Sequence, residues 1–232
     1  MTSDAVTSDA VTSRGSDPLT RLRRLPDKQS HDRAVLDALL DAALVAHVVV
    51  PATGSAQAAP PVVLPTAFAR HGDRVLLHGS TGSRLFRALA DGAPTCASVA
   101  VVDGVVVARS QFESSMHYRS AVLFGSCREL DGEEKSAALQ ALADRLLPGL
   151  ADQRRPNRRE RSATMVLELP IDRWSLKVST GDPEDHPDDL DLPVWAGVVP
   201  LHHTWGTPTP APDLADGLPV PRAIAAWPGG RA

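Results

Sequence analysis

Between Leu76 and Arg84 the chain reads Leu-Leu-His-Gly-Ser-Thr-Gly-Ser-Arg. An apolar run ends at His78, small and hydroxylated residues follow, and a helical pattern begins. Backbone N–H groups at such a helix start, the hydroxyls of Ser80, Thr81 and Ser83, and the Arg84 guanidinium can converge on a phosphate. The same spacing has a plainer use, in which Ser80 or Thr81 caps the helix and Arg84 is hydrated. No Gly-Lys-Ser/Thr stands at P-loop distance and no Gly-x-Gly-x-x-Gly occurs, so neither of those two nucleotide grips operates here.

A second polar stretch, Ala108 to Ser120, links two apolar runs and holds the only tyrosine of the chain. On a strand, Tyr118 and Ser120 point to one face and Arg119 to the other. Such a connection is either a ligand wall or a hydrated loop. The remaining reactive side chains carry less. Adjacent imidazoles rarely converge on one ion, so His202 and His203 read as a surface pair, and no metal site is expected. Cys96 sits in an apolar run and reads as packing, and the two cysteines suggest a reducing compartment. The basic run Arg154–Arg161 and the acidic run Asp182–Asp191 are expected to be solvated. No Gly-x-Ser-x-Gly elbow, carboxylate dyad or triad order is present.

Positioning these groups falls to many short β-rich runs and few helices. Strands are expected at Val45–Val50, Val62–Phe68, Arg74–His78, Thr95–Val102, Val105–Arg109, Tyr118–Leu130, Thr164–Leu169 and Arg173–Val178. Asp103-Gly104 between two Val runs predicts a two-residue hairpin. Helices are expected over Asp32–Ala43, with Val35, Leu36, Leu39, Leu40 and Ala43 on one face, over Gly82–Ala90, and over Glu133–Leu147, with Leu139, Leu142 and Leu146 inward. This pattern argues for a mainly β (α+β) barrel with helical additions rather than a parallel βαβ sheet.

The chain has 232 residues, 43% hydrophobic and 22% charged, with a formal charge of −4, which is enough for one large domain. That charge gives no general attraction to nucleic acid, and no apolar run is long enough to span a bilayer. No secretory signal layout is seen, so a cytoplasmic location without membrane or nucleic-acid partners is expected. The repeat TSDAVTSDAVTS makes residues 1–18 read as a disordered leader, and the Pro-rich residues 206–232 as a tail. Residues 19–205 form the expected folded domain, although Trp205 and Trp227 can pin the tail onto a surface.

Several stretches, taken in order, resemble the pyridoxamine 5′-phosphate oxidase-like flavin-binding family, in the branch that includes nitroimidazole-resistance-type proteins. They are RLPDKQSHDRAVLDALLDAALVAHVVV, VVLPTAF, HGSTGSRLFRAL, VVVARSQFESSMHYRSAVLFG and SLKVSTGDPED with LPVWAGVVPL, spanning about Arg21 to Leu201. The resemblance implies a split β-barrel with flanking helices, a homodimer, and FMN at the subunit interface. It assigns the phosphate grip to His78, Ser80, Ser83 and Arg84, sets Thr66 beside the cofactor, and puts Tyr118, Arg119 and Ser120 on the site or the dimer contact. The chain departs from the family pattern at Arg70, where an aromatic is common, and at Glu113-Ser114, so the substrate does not carry over. The paired basic residues of a pyridoxamine phosphate oxidase's C-terminus are also not found.

The implied activity is an oxidoreductase that passes electrons from a reduced nicotinamide-type donor to a small organic acceptor. The lack of a catalytic constellation agrees with this, because the cofactor would supply the redox chemistry. Three alternatives remain. One is a non-catalytic flavin-binding or redox-sensing module. Another is a relative using F420 or haem, with His47, His71 or His117 as an iron ligand. The last is an interaction protein with a degenerate site.

Overall fold

The computed structural model describes residues 17–50, 60–150 and 153–227. The expected leader lies almost wholly outside these residues, as does the last part of the tail. Ten strands form one antiparallel sheet: β1 (Gln29–Ser30), β2 (Val45–Val50), β3 (Val62–His71), β4 (Arg74–Ser80), β5 (Pro94–Val107), β6 (Ser115–Ser126), β7 (Arg128–Glu129), β8 (Thr164–Pro170), β9 (Arg173–Ser179) and β10 (Gly197–Pro200). The spatial order is β1-β9-β6-β5-β2-β3-β4-β8-β7, and β10 joins the edge of β5. Five helices flank the sheet: α1 (Arg33–Ala42), α2 (Arg84–Ala90), α3 (Gly132–Leu146), α4 (Arg158–Ala163) and α5 (Arg222–Ala225). No helix among the described residues is long and apolar enough to cross a membrane.

Strand alternation explains the core. Val48, Ala97, Leu123 and Trp174 face one another across β2, β5, β6 and β9, and all are buried. The apolar stripe of α1 lies on this inner face, with Leu36, Leu39 and Leu40 fully buried, and the Asp32 carboxylate caps the helix at the Ala34 N–H. On β4 the run Val75-Leu76-Leu77 is buried on both sides. Val75 and Leu77 join the main core, while Leu76 joins a second cluster with Ala69, Leu130, Val166 and the Ala138 and Leu142 face of α3. Covering on both faces is why this strand lacks polar alternation. Of the three inward leucines expected on α3, Leu142 is buried while Leu139 and Leu146 are half-buried.

The expected hairpin at Asp103-Gly104 is not formed. β5 runs unbroken through it, and the register with β6 shifts between Val102 and Gly104, so Asp103 is the extra residue of a bulge. Two contacts favour the bulge over a turn. Both oxygens of Asp103 accept from Arg119 (2.8 and 2.7 Å), and its carbonyl accepts from the Leu201 N–H at 2.9 Å. The true connection is the Ala108–Ser114 loop, closed by the Ala108 N–H donating to Ser114 Oγ. β10 was not expected; pairing with β5 carries the chain beyond residue 200 back to the bulge.

A Cβ on Gly104 would meet the Val199 carbonyl oxygen at 2.7 Å and the Pro200 Cα at 3.2 Å. Backbone cannot yield as a side-chain tip can, so Gly104→Ala is expected to destabilise the protein by about 1–3 kcal/mol, the usual range for overpacking. Denaturant unfolding measures this; an unchanged midpoint would show that β10 is not held against the bulge.

Candidate functional site

The turn after β4 is held by its own hydroxyls. The Gly82 N–H donates to Ser80 Oγ at 3.1 Å, the Ser83 N–H to the Ser80 carbonyl at 2.9 Å, and the Phe86 N–H to Ser83 Oγ at 3.3 Å. Thr81 reaches sideways, and both its N–H and its hydroxyl donate to the Ala163 carbonyl at the end of α4. The cap of α2 is therefore Ser83 and not Ser80 or Thr81 as expected, because the turn at Ser80 consumes two more residues before the helix starts at Arg84. α2 has only seven residues, so any anion grip here belongs to side chains rather than to the helix end.

Those side chains are cationic and open. Arg84 is exposed and makes no hydrogen bond or ion pair among the described residues, and Arg87 reaches only the Gly82 carbonyl at 3.5 Å. Both line an open cavity of about 440 Å³ with Ala88, Asp91, Gly92 and Ala93. On the preceding strand, His78 pairs with Val166 and is half-buried; its Nδ1 is buried with no hydrogen-bond partner among the described residues. A buried polar atom without a partner is costly, which makes it a natural place for an added donor or acceptor. Arg87 escaped the sequence reading because it lies inside a helix; its spacing of three from Arg84 was the available signal.

β4 itself is fixed by charge as well as by packing. Glu168 on β8 takes Arg74 at 2.6 Å and Arg128 at 2.8 Å, and Arg128 continues to Glu134 on α3. Burial works against the Glu168 charge, but the hydrogen bonds from Arg128 and Arg74 outweigh it and hold the carboxyl below its usual range. Arg70, the departure from the family pattern, is engaged by Asp41 and Asp37.

The other expected residues lie elsewhere. Thr66 is half-buried opposite Ala46, and its hydroxyl donates to the Ala67 carbonyl; the antiparallel register of β3 and β4 carries it toward Gly79. Tyr118 and Ser120 occupy the outer face of β6, whereas Arg119 occupies the inner face, as alternation requires. Three strands, β5, β2 and β3, separate β6 from β4. Four strand steps at the usual spacing are about 19 Å measured along the sheet.

The bulge gathers a second group. Arg119 hydrogen-bonds Asp103 and holds its carboxyl below the usual range, with His117 and His203 adding to the effect. His117 stands across from Gly104 and is half-buried; His202 and His203 are exposed, as expected of a surface pair. His47 and His71 are exposed as well. No group of three His, Cys, Asp or Glu side chains among the described residues can hold a metal ion. Both cysteines are free; burial pushes the Cys127 thiol up to about 12, which makes it inert near neutral pH. The acidic run is not wholly solvated: Asp185 is buried and accepts from the Arg109 N–H (2.5 Å) and guanidinium (2.7 Å). The basic run folds in part as α4, where Asn157 and Glu160 form a capping box and Arg154 pairs with Glu160.

An antiparallel sheet that packs α1 on its inner face is the architecture of the split barrels. The family model for pyridoxamine 5′-phosphate oxidase matches residues 32–178, and the chain belongs to that family. Among solved structures, the FAD and haem binding protein from Mycobacterium smegmatis is 47% identical, covers 87% of this chain and 97% of its own, and superposes with a TM-score of 0.81. The flavocytochrome Anf3 from Azotobacter vinelandii is 35% identical over 91% of this chain and 97% of its own, with a TM-score of 0.83. A candidate 5-nitroimidazole antibiotic resistance protein from Bacteroides thetaiotaomicron, 20% identical over 65% of this chain and 86% of its own (TM-score 0.52), shares the fold. No curated protein matches the chain.

Asp103 and Glu168 both ionise more readily in the folded chain than in the unfolded one. The unfolded state therefore binds more protons as the pH falls through about 4, and the stability these groups contribute at neutral pH is lost as it drops through their lower folded values. Thermal melts should show a falling midpoint below about pH 4, and Asp103→Asn should lower the neutral midpoint while making that acid limb shallower. An identical acid limb in the variant would remove Asp103 from the account.

Proposed function

We propose that this chain is a flavin-binding redox protein that grips the cofactor's phosphate with Arg84, beside the Ser80–Ser83 turn. The observation that carries this is the unpaired, exposed Arg84 next to a turn whose preceding His78 keeps a buried Nδ1 without a partner. Family membership and the two neighbours above 30% identity, both named for flavin, support it. A bound flavin would supply electron or hydride transfer, and the protein would supply binding, orientation and electrostatics. The chain's own part is to hold an anion at the guanidinium, to place His78 beside the cofactor, and to keep β4 rigid through Glu168. The donor we infer is a reduced nicotinamide and the acceptor a small organic molecule.

Purified protein should show flavin absorption, retained after excess cofactor is removed. Arg84→Ala should weaken flavin binding about 10- to 100-fold, the range for losing a charge-assisted hydrogen bond. A colourless protein that takes up no flavin would overturn the reading.

The site is completed by a second copy of the chain. Val199, Val105 and Met116 lie opposite one another on the outer face of β10, β5 and β6, and each is about half exposed (51%, 47% and 49%). We infer that covering this row with a twin sets the outer face of β6, with Tyr118 and Ser120, at the dimer contact. Val105→Lys should sediment as a monomer and lose flavin affinity; a dimer with unchanged flavin binding would place the interface elsewhere.

A haem beside the flavin is a second reading, supported by the haem or flavocytochrome names of the same two neighbours. His117, half-buried across from Gly104, is the imidazole we infer would hold the iron. The same absorption spectrum tests it through the presence or absence of a Soret band.

A further inference from the structure

The chain between β9 and β10 is an ordered strap. Near one end Asp185 is held by the Arg109 N–H and guanidinium, and at the other end β10 is paired with β5. Between them the Asp189 N–H donates to the His186 carbonyl (2.9 Å), the Leu192 N–H to the Asp189 carbonyl (3.0 Å) and the Val194 N–H to the Leu192 carbonyl (2.8 Å). Yet Leu190, Leu192, Val194 and Trp195 are exposed, Trp195 at 65%. A backbone fixed so that it holds four large apolar side chains in water gains nothing within one chain, and such a patch marks an interface. It leads directly into β10, whose Val199 belongs to the exposed row of β10, β5 and β6.

Charge narrows the choice of occupant. Asp182, Glu184, Asp188 and Asp191 are exposed around the patch, and none pairs with a lysine or arginine among the described residues. Four such carboxylates repel an anionic lipid surface and call for a cationic partner. The same chain carries that complement. Arg155, Arg158, Arg159 and Arg161 lie just before or on α4, exposed and unpaired among the described residues, while Arg154 of the same run is taken by Glu160. Arginine stems and guanidinium planes also cover leucine and tryptophan well. Among the described residues no ion pair joins the basic run to the acidic one. Two complementary surfaces that do not meet within one copy can meet twice across a two-fold axis.

We propose that the Asp182–Trp195 strap docks on α4 of a second copy of this chain, with its carboxylates on the arginines and its apolar side chains over their stems. Thr81 is tied to Ala163 at the end of α4, so a docked strap also walls the turn after β4 in the partner subunit. This rests on the second copy inferred above, and the docking itself needs no cofactor.

The test is sedimentation equilibrium of the full-length protein without added flavin. Arg158→Glu with Arg159→Glu, and separately Asp188→Lys with Asp191→Lys, should each weaken self-association at least about tenfold, because like charges then face each other. An equimolar mixture of the two variants should regain the wild-type affinity to within about threefold, since both contacts of the mixed dimer again join opposite charges. All four positions are at the surface, and glutamate suits the first turn of α4, so unchanged melting temperatures will show that the variants fold. A wild-type monomer, a charge-reversed pair that associates as tightly as wild type, or a mixture that does not re-associate would overturn the docking and leave flavin binding to its own test. Re-association of the mixture in a protein that takes up no flavin would uphold the docking and remove only the flavin reading.

Discussion

Phe86 lies across Gly79, and the direction of the candidate site follows from that contact. A Cβ at Gly79 would sit 2.6 Å from the Phe86 ring, so the ring can close over the end of β4 only because that residue has no side chain. Phe86 and Leu89 are the buried residues of α2, and they join the barrel core. With that face turned inward, Arg84 and Arg87 are turned outward over the cavity. Ser83 adds the cap that starts the helix, and Thr81 ties the turn to α4, so the short helix keeps one orientation despite its length.

Rigidity at this site is borrowed from the strands behind it. β4 is buried on both faces, by the main core and by the α3 cluster, and Glu168 adds a charged clamp from the neighbouring strand. Such a strand cannot shift without breaking several contacts at once. The opposite end of the barrel is built differently. There Asp103 and Arg119 pair at a bulge with His117 across from Gly104, and bulges commonly re-aim side chains next to functional sites. One chain thus presents two polar regions, one at the turn after β4 and one at the bulge.

Much of this was legible in the sequence. The amphipathic stripe of α1, the apolar run of β4 and the hydroxyl turn before Arg84 are local patterns, set by spacing and side-chain type, and they appear close to where periodicity places them. The face assignment of Tyr118, Arg119 and Ser120 also follows from alternation alone. These features depend on residues a few positions apart, which any chain segment carries with it.

Tertiary structure decided what depends on partners distant in sequence. Asp103-Gly104 has the composition of a hairpin turn, yet Arg119 and the returning β10 make it a bulge, because two side-chain hydrogen bonds and a close backbone approach outweigh a turn preference. Asp185 looked like part of a hydrated acidic run until Arg109, 76 positions away, buried it. Arg87 is seen to share the cavity of Arg84 only once the Ala88–Ala93 segment is folded beside it. Sequence spacing determined which groups this chain owns and which side of an element they leave. Only the folded sheet, where distance in space no longer follows distance along the chain, determined which of them meet and which stand apart.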